Sequence, residues 1–177
     1  MTVTMMKCHN SARPRWFSGI RRVLEAGLGD AYLRIEHVGS TSIPGVIAKP
    51  IIDIYVMIAV GAFETAKERL VQVGYAHEGD KGIPTREAFD LLGRELKVRL
   101  PKHHLYACAD DSPELARHIA FREVMKRPSE YKERLGQPKW ALAEQHDNDK
   151  YPCMDGKAAL VRKIAELALQ DTRGGPA

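Results

Sequence analysis

The chain has 177 residues, 44% of them hydrophobic and 28% charged, with 27 Lys and Arg against 23 Asp and Glu for a net charge of +4. That length and balance suit one globular domain with its own core, and the absence of any apolar run near the roughly 18 residues of a membrane span predicts no membrane segment. A sequence pI of about 9.0 is compatible with phosphate-bearing ligands or nucleic acid and requires neither.

Residues 1–13 lack periodicity and are expected to form a frayed tail. Lys7, Arg13, Arg15, Arg21 and Arg22 precede the first acid, Glu25, and read as a solvated basic stretch. Met5, Met6 and Val3 are too few for the apolar region of a signal peptide. Cys8, Cys108 and Cys153 are widely spaced with no CxxC pair, which fits neither a disulfide framework nor a zinc knuckle and points to a reducing cytoplasm. Trp16, Phe17, Ile20, Val23, Leu24 and Leu28 recur at helical spacing, so an amphipathic helix is predicted over 15–28 with Gly29 as its stop. A strand over 32–38 follows, then a Gly-Ser turn from Gly39 to Ser42, one or two helical turns over 45–48, and a strand over 51–60. Phe63, Ala66, Leu70 and Val73 predict a second helix closed by Gly74.

Gly79, Gly82 and Pro84 mark turns, and 85–92 and 95–100 read as hairpin strands around Gly93. A further strand is predicted over 104–109. Ser112-Pro113-Glu114 is an N-cap with proline at the first helical position, ahead of the apolar stripe Leu115, Ile119, Phe121, Val124 and Met125. Helical segments then begin at Pro128 and Trp140, a last helix covers 155–169, and the Gly/Pro-rich stretch 172–177 is expected to be a disordered tail. The order predicts a single α+β domain over 14–171: a mixed sheet with helices on one side and a C-terminal helical layer.

Chemistry concentrates in 33–58. Asp53 is the one charged residue in the most apolar run of the chain, where a carboxylate is costly to bury unless something binds it. Gly39, Ser40 and Thr41 can present backbone N–H groups and hydroxyls to a phosphate. Asp53 on the next strand would hold a divalent metal bridging that phosphate, since Mg²⁺ takes one or two carboxylates together with phosphate oxygens. His104 suits a softer metal beside it. Lys49, ahead of Pro50, is placed to reach a phosphate near Ser40, and Arg86, then Arg99, are candidate anion clamps. Glu36 and His37 point to opposite faces of their strand, so at most one faces the turn.

The run E-H-V-G-S-T-S-I-P-G-V-I-A-K-P-I-I-D-I, residues 36–54, resembles the signature of the GrpB family. That family is assigned to the nucleotidyltransferase superfamily and is also found fused to dephospho-CoA kinase. The resemblance takes in the leading helix with Trp16, the strand with His103-His104-Leu105-Tyr106, and Tyr151 to Lys157. It implies a nucleotidyltransferase-like sheet whose pattern is Gly-Gly/Ser, then a strand with Asp-x-Asp/Glu, then a third acid on a later strand. Gly39-Ser40 and Asp53 match the first two elements. Tyr55 stands where the second acid belongs, and the strand expected to carry the third has His104 and Tyr106.

The function implied is binding of a nucleotide or another phosphorylated small molecule in the Gly39–Asp53 cleft, with transfer of a nucleotidyl or phosphoryl group as the reaction. Asp53 and His104 would be the catalytic and metal-binding pair, for Mg, Mn or a softer cation. Gly39, Ser40, Thr41, Lys49 and Arg86 would hold the phosphates, and Glu36, His37, Tyr55 and Tyr106 complete the cleft. Two-metal phosphoryl transfer needs more carboxylates than the one found here. Tyr55 and the kinase fusion therefore favour a rival, a binding or regulatory module that kept the fold and lost the acids. The basic pI leaves an RNA-directed protein as the third reading, which requires basic residues gathered on one face.

Overall fold

In the computed structural model, which describes residues 11–46 and 48–126, the elements are α1 (Ala12–Leu28), β1 (Arg34–Val38), a 3₁₀ turn (Ser40–Ser42), β2 (Ile52–Ile58), α2 (Phe63–Val73), β3 (Tyr75–His77), β4 (Glu87–Leu91), α3 (Arg94–Arg99), β5 (His103–Ala109) and α4 (Pro113–Lys126). The five strands lie in the order β1-β2-β5-β4-β3. β2 and β5 run parallel, and the other neighbours are antiparallel. This is the mixed sheet of an α+β domain.

Each face of the sheet has its own cover. On one, Ile52, Ile54, Val56 and Ile58 of β2 pack with Leu105, Ala107, Phe89 and Leu91 against Ile20, Leu24 and Leu28 of α1 and Ala66 and Leu70 of α2. The three α1 residues recur at i, i+4 and i+8 on one helical stripe, and all are fully buried. On the other, Val38, Tyr55, Met57 and Cys108 pack against Leu115 of α4, with Tyr106 and Ile119 at the margin. β2 is therefore buried on both faces, which is why it reads as an almost unbroken apolar run. The Cys108 thiol lies in the second layer, and burial pushes its pKa up to about 11. No helix among the described residues is long and apolar enough to cross a membrane.

Three local expectations change. Residues 95–100 alternate in polarity and read as a strand, yet they form α3. Leu96 and Leu100, four apart, pack on the core, while Val98 between them is 87% exposed; helical spacing wins over the period-2 pattern. The hairpin partner of β4 is instead β3, through Tyr75↔Leu91 and His77↔Phe89. The helical turn expected over 45–48 falls earlier, on Ser40–Ser42. Arg13 does not belong to a solvated tail: α1 begins at Ala12, and Arg13 is buried with Nη1 donating to the carbonyl of Val46 at 2.8 Å. Of the predicted C-terminal helical layer, α4 is described; the segments from Pro128, from Trp140 and over 155–169, the tail 172–177 and residues 1–10 lie outside the described residues.

α1 and α2 meet closely at Gly27, where an added Cβ would sit 2.0 Å from Val73 Cγ2. Val is β-branched and cannot swing its methyl away at little cost. Gly27→Ala is expected to lower unfolding stability by about 1–3 kcal/mol, the usual range for overpacking, despite alanine's higher helix propensity. Chemical denaturation of the two proteins measures the difference, and a variant as stable as the parent would show that the helices are not packed this tightly.

Candidate functional site

Residues paired across a sheet point to the same face, so the register alone builds the site. Asp53 of β2 pairs with Val38 of β1 and His104 of β5; the next row on that face is Glu36, Tyr55 and Tyr106, extended to Ala88 of β4. Both rows lie on the α4 face. Asp53 sits at the start of β2, where the cover thins, and its side chain is 33% exposed. The apolar run thus does not entomb the carboxylate.

His104 Nδ1 lies 3.0 Å from Asp53 Oδ1. An ionised carboxylate only accepts, so Nδ1 carries the hydrogen and Nε2 of the neutral ring keeps its lone pair. The other carboxylate oxygen is crowded by the Gly-Ser turn. Gly39 has φ +70°, and a Cβ placed on it would stand 2.4 Å from Asp53 Oδ2. Only glycine meets both demands, the left-handed backbone and the close approach. The turn is closed by Ser42, whose hydroxyl donates to the Gly39 carbonyl at 2.7 Å. Ser40 is buried beside it.

The second row is aromatic and cationic. The Tyr55 and Tyr106 rings lie 5.1 Å apart. The Arg86 guanidinium stands 4.2 Å over the Tyr106 ring, and its Nη1 donates to Tyr55 Oη at 3.4 Å. Burial pushes the Tyr55 phenol up to about 12 and raises Tyr106 as well, so both are neutral hydrogen-bond donors. His118 of α4 lies 5.3 Å from the Tyr55 ring. Its Nε2 is 3.2 Å from Glu114, and that hydrogen bond, with charge from Arg117 as a lesser cause, holds the Glu114 carboxyl down to about 2.

The remaining candidates separate by face. Glu36 points to the Asp53 side, yet it is taken up by Arg34 at 2.8 Å and by Arg122 of α4 at 2.6 Å. His37 points to the opposite side, stacked on Phe17 with centroids 4.9 Å apart, and its Nε2 lies 3.0 Å from the Thr41 hydroxyl. Thr41 is buried, so its side chain serves His37. Lys49 is half-buried on the segment leading into β2. Arg99 is on α3, 3.3 Å from Glu95.

Sequence reasoning missed Arg122, which bridges Glu36 across 86 positions of chain and looks in sequence like any cation on a helix's wet face. It also missed the cavity beside the pair. On the β5–β4–β3 half of the same face lies a cavity of about 560 Å³, whose lining includes Lys81, Lys97, Lys102, Asp90, His104 and Tyr106. Lys81, Lys97 and Lys102 come from a turn, a helix and a strand approach, so no local pattern announces them.

The family resemblance implies a divalent metal, and the donor set can be tested against it. Among the described residues no group of three or more His, Cys, Asp or Glu side chains converges to hold an ion. Asp53 and His104 make a pair, Glu36 is committed to two arginines, and the neighbouring positions hold neutral tyrosines under a guanidinium. These residues do not fit a two-metal centre, which needs several anionic ligands around two cations.

Comparison with known proteins places these features in a family. The GrpB protein family model matches residues 3–167. The UPF0157 protein YqkA of Bacillus subtilis is 27% identical over 167 residues, covering 94% of this chain and 47% of that protein; the chain spans about half of that relative's length. The glutamate-rich protein GrpB of Alkalihalophilus pseudofirmus is 29% identical over 160 residues, 88% of this chain and 90% of that one. Among solved structures, the conserved protein GrpB from Enterococcus faecalis superposes with a TM-score of 0.75 at 28% identity, covering 91% of this chain and 94% of its own.

His37 gives this region a measurable pH dependence. Burial lowers its pKa from 6.5 to about 4; Asp53 opposes the shift, and Arg122, Arg13 and Lys126 add to it. A group whose folded pKa lies below its unfolded value contributes its full stability above the unfolded pKa and loses it as pH falls toward the folded one. Acidification from about pH 7 to about pH 5 is therefore expected to remove about 2 kcal/mol through His37 alone. His37→Gln, which cannot titrate, should flatten that part of the stability curve, as followed by urea denaturation at each pH. An unchanged slope would show that His37 is not held neutral.

Proposed function

This chain belongs to the GrpB family, and from that premise we propose that it binds a nucleotide or another phosphorylated small molecule in the cavity on the β5–β4–β3 side of its sheet, beside Asp53 and His104. The observation that carries this reading is the joining of two features on one face. An Asp–His pair held against a glycine turn borders a cavity of about 560 Å³ with three lysines in its lining. That volume is within the range of small-molecule sites, about 300–1,000 Å³. Of the three lysines, Lys81 is paired with Glu78 and Lys97 lies 3.9 Å from Asp90, while Lys102 has no ion pair with a carboxylate among the described residues and offers its charge to phosphate oxygens. The nucleotidyltransferase-like character implied by the sequence motif supports a nucleotide as the ligand class.

The transfer this arrangement suits is nucleotidyl or phosphoryl transfer to a hydroxyl. His104 Nε2 takes the hydroxyl proton as its oxygen bonds phosphorus. Asp53, hydrogen-bonded to Nδ1, fixes the ring and stabilises the imidazolium that forms. The P–O bond to the leaving group breaks as the new one forms, and Lys102 and Arg86 offset the charge on the departing pyrophosphate (nucleotidyl transfer) or nucleoside diphosphate (phosphoryl transfer). Tyr55 and Tyr106, in the rows where acids are expected, favour a second reading in which the same pocket binds its ligand and performs no transfer.

Titration of ATP, GTP and CTP against the full-length protein tests the binding. Replacing Lys102 by Glu is expected to weaken the preferred nucleotide about 10-fold or more, the scale of one lost charge-assisted contact. Asp53→Asn should leave affinity within about 3-fold while any turnover falls about 100-fold, as expected when a general base loses its orienting partner. Absence of binding by all three nucleotides would sink the ligand class, and binding without turnover would select the second reading.

A further inference from the structure

We propose that the cation which receives the ligand's phosphate is the Arg86 guanidinium, clamped between Tyr55 and Tyr106, and that binding needs no divalent metal. The inference rests on the phosphate-ligand reading above and adds to it the identity of the counter-charge.

The argument begins with charge. A metal-dependent phosphate site combines two or three carboxylates with one or two dications, so the fixed protein charge is strongly negative until metal arrives. Here the Asp-x-Asp/Glu position two residues after Asp53 is Tyr55, and its partner across β5 is Tyr106. Both are neutral. Above them stands Arg86, at 4.2 Å from the Tyr106 ring and 3.4 Å from Tyr55 Oη. Two neutral tyrosines and a permanent positive charge stand together here, with Glu114, bonded to Arg117 and His118, as the nearby acid, so the protein itself presents a cation to a phosphate.

Arg86 is also uncommitted in the way a ligand-binding arginine must be. No ion pair with a carboxylate is found for it among the described residues, whereas Arg34 and Arg122 share Glu36, and Arg117 is bonded to Glu114. Its Nε is buried without a hydrogen-bond partner, an arrangement costly enough to suggest a missing acceptor. Two tyrosines hold the plane of the guanidinium by cation–π contact and hydrogen bond without neutralising it. A planar fork held in one orientation matches two phosphate oxygens. Arg86 itself is outside the cavity lining, but the Tyr106 ring it covers is part of it, so a phosphate held by Arg86 sits at the cavity's edge with the organic part of the ligand in the cavity. The same guanidinium repels a divalent cation at this spot, in keeping with the poor donor set.

The test uses full-length protein, with inorganic pyrophosphate and ATP as probes, titrated calorimetrically in EDTA and again in Mg²⁺. Affinity equal within about 3-fold in the two buffers is expected, with Arg86→Ala weakening both probes about 10-fold or more. Arg86→Lys keeps the charge and loses the fork, and is expected to fall between; if the alanine variant does not fold, Arg86→Lys decides, weaker binding supporting the clamp and equal binding overturning it. Binding that appears only with Mg²⁺ overturns the proposal and leaves the phosphate-ligand reading intact. Binding in EDTA that Arg86→Ala leaves unchanged also overturns it. Failure of the parent protein to bind either probe in either buffer overturns both.

Discussion

The contact between Gly39 and Asp53 sets the terms for the rest of this face. A Cβ at Gly39 would come within 2.4 Å of the carboxylate, so the backbone of the turn rests directly on the side chain of the neighbouring strand. That seating fixes one oxygen of Asp53 and leaves the other for His104 at 3.0 Å. The direction of the imidazole, and so the position of its free nitrogen, follows from a glycine some distance away in sequence. Asp53 tolerates this place because β2 starts there: one residue further in, the strand is buried on both faces, and an unpaired carboxylate would be untenable.

α4 ties this arrangement to the helical side of the fold. Arg122 binds Glu36 with both side chains 14% exposed and also donates to the backbone carbonyl of His37 at 2.8 Å. A half-buried pair of this kind is weak evidence for net stability but strong evidence for a required geometry, because removing one partner strands the other. It holds α4 over β1, β2 and the Cys108 end of β5, beside the lysine-lined cavity.

Much of this was legible in the sequence, for definite reasons. Strong periodic patterns announced α1, α2 and β2, and Ser112-Pro113 marked the start of α4. The motif around Gly39 and Asp53 pointed to the correct turn and strand, and period-2 alternation placed Asp53 with Tyr55 and His104 with Tyr106. What failed was local ambiguity: Glu95 to Leu100 alternates like a strand, and the three-residue β3 is too short to leave a pattern. What could not be read was convergence. Arg122, Lys81, Lys97 and Lys102 gather by topology, and an isolated cation on a helix or turn looks the same whether it meets water or a partner. Nor could the sequence say which of Glu36 and His37 faced inward, since alternation fixes opposition and not direction.

The density of polar and glycine residues in 36–54 is best understood as construction rather than as a list of ligands. Glu36 is consumed by Arg34 and Arg122, His37 by Phe17 and Thr41, and Ser42 by the carbonyl of Gly39. Those contacts lie on both faces of β1 and at the turn that leaves it, and together they hold the turn against Asp53. A motif in which each residue had to touch a ligand would tolerate little of this, because a side chain locked in an internal hydrogen bond has no donor left to offer. The groups left available are few: Asp53 and His104 at the strand ends, and Arg86 with its two tyrosines one row inward. The long motif thus encodes the position of a small site, and the charge that distinguishes the site comes from Arg86, well outside that motif.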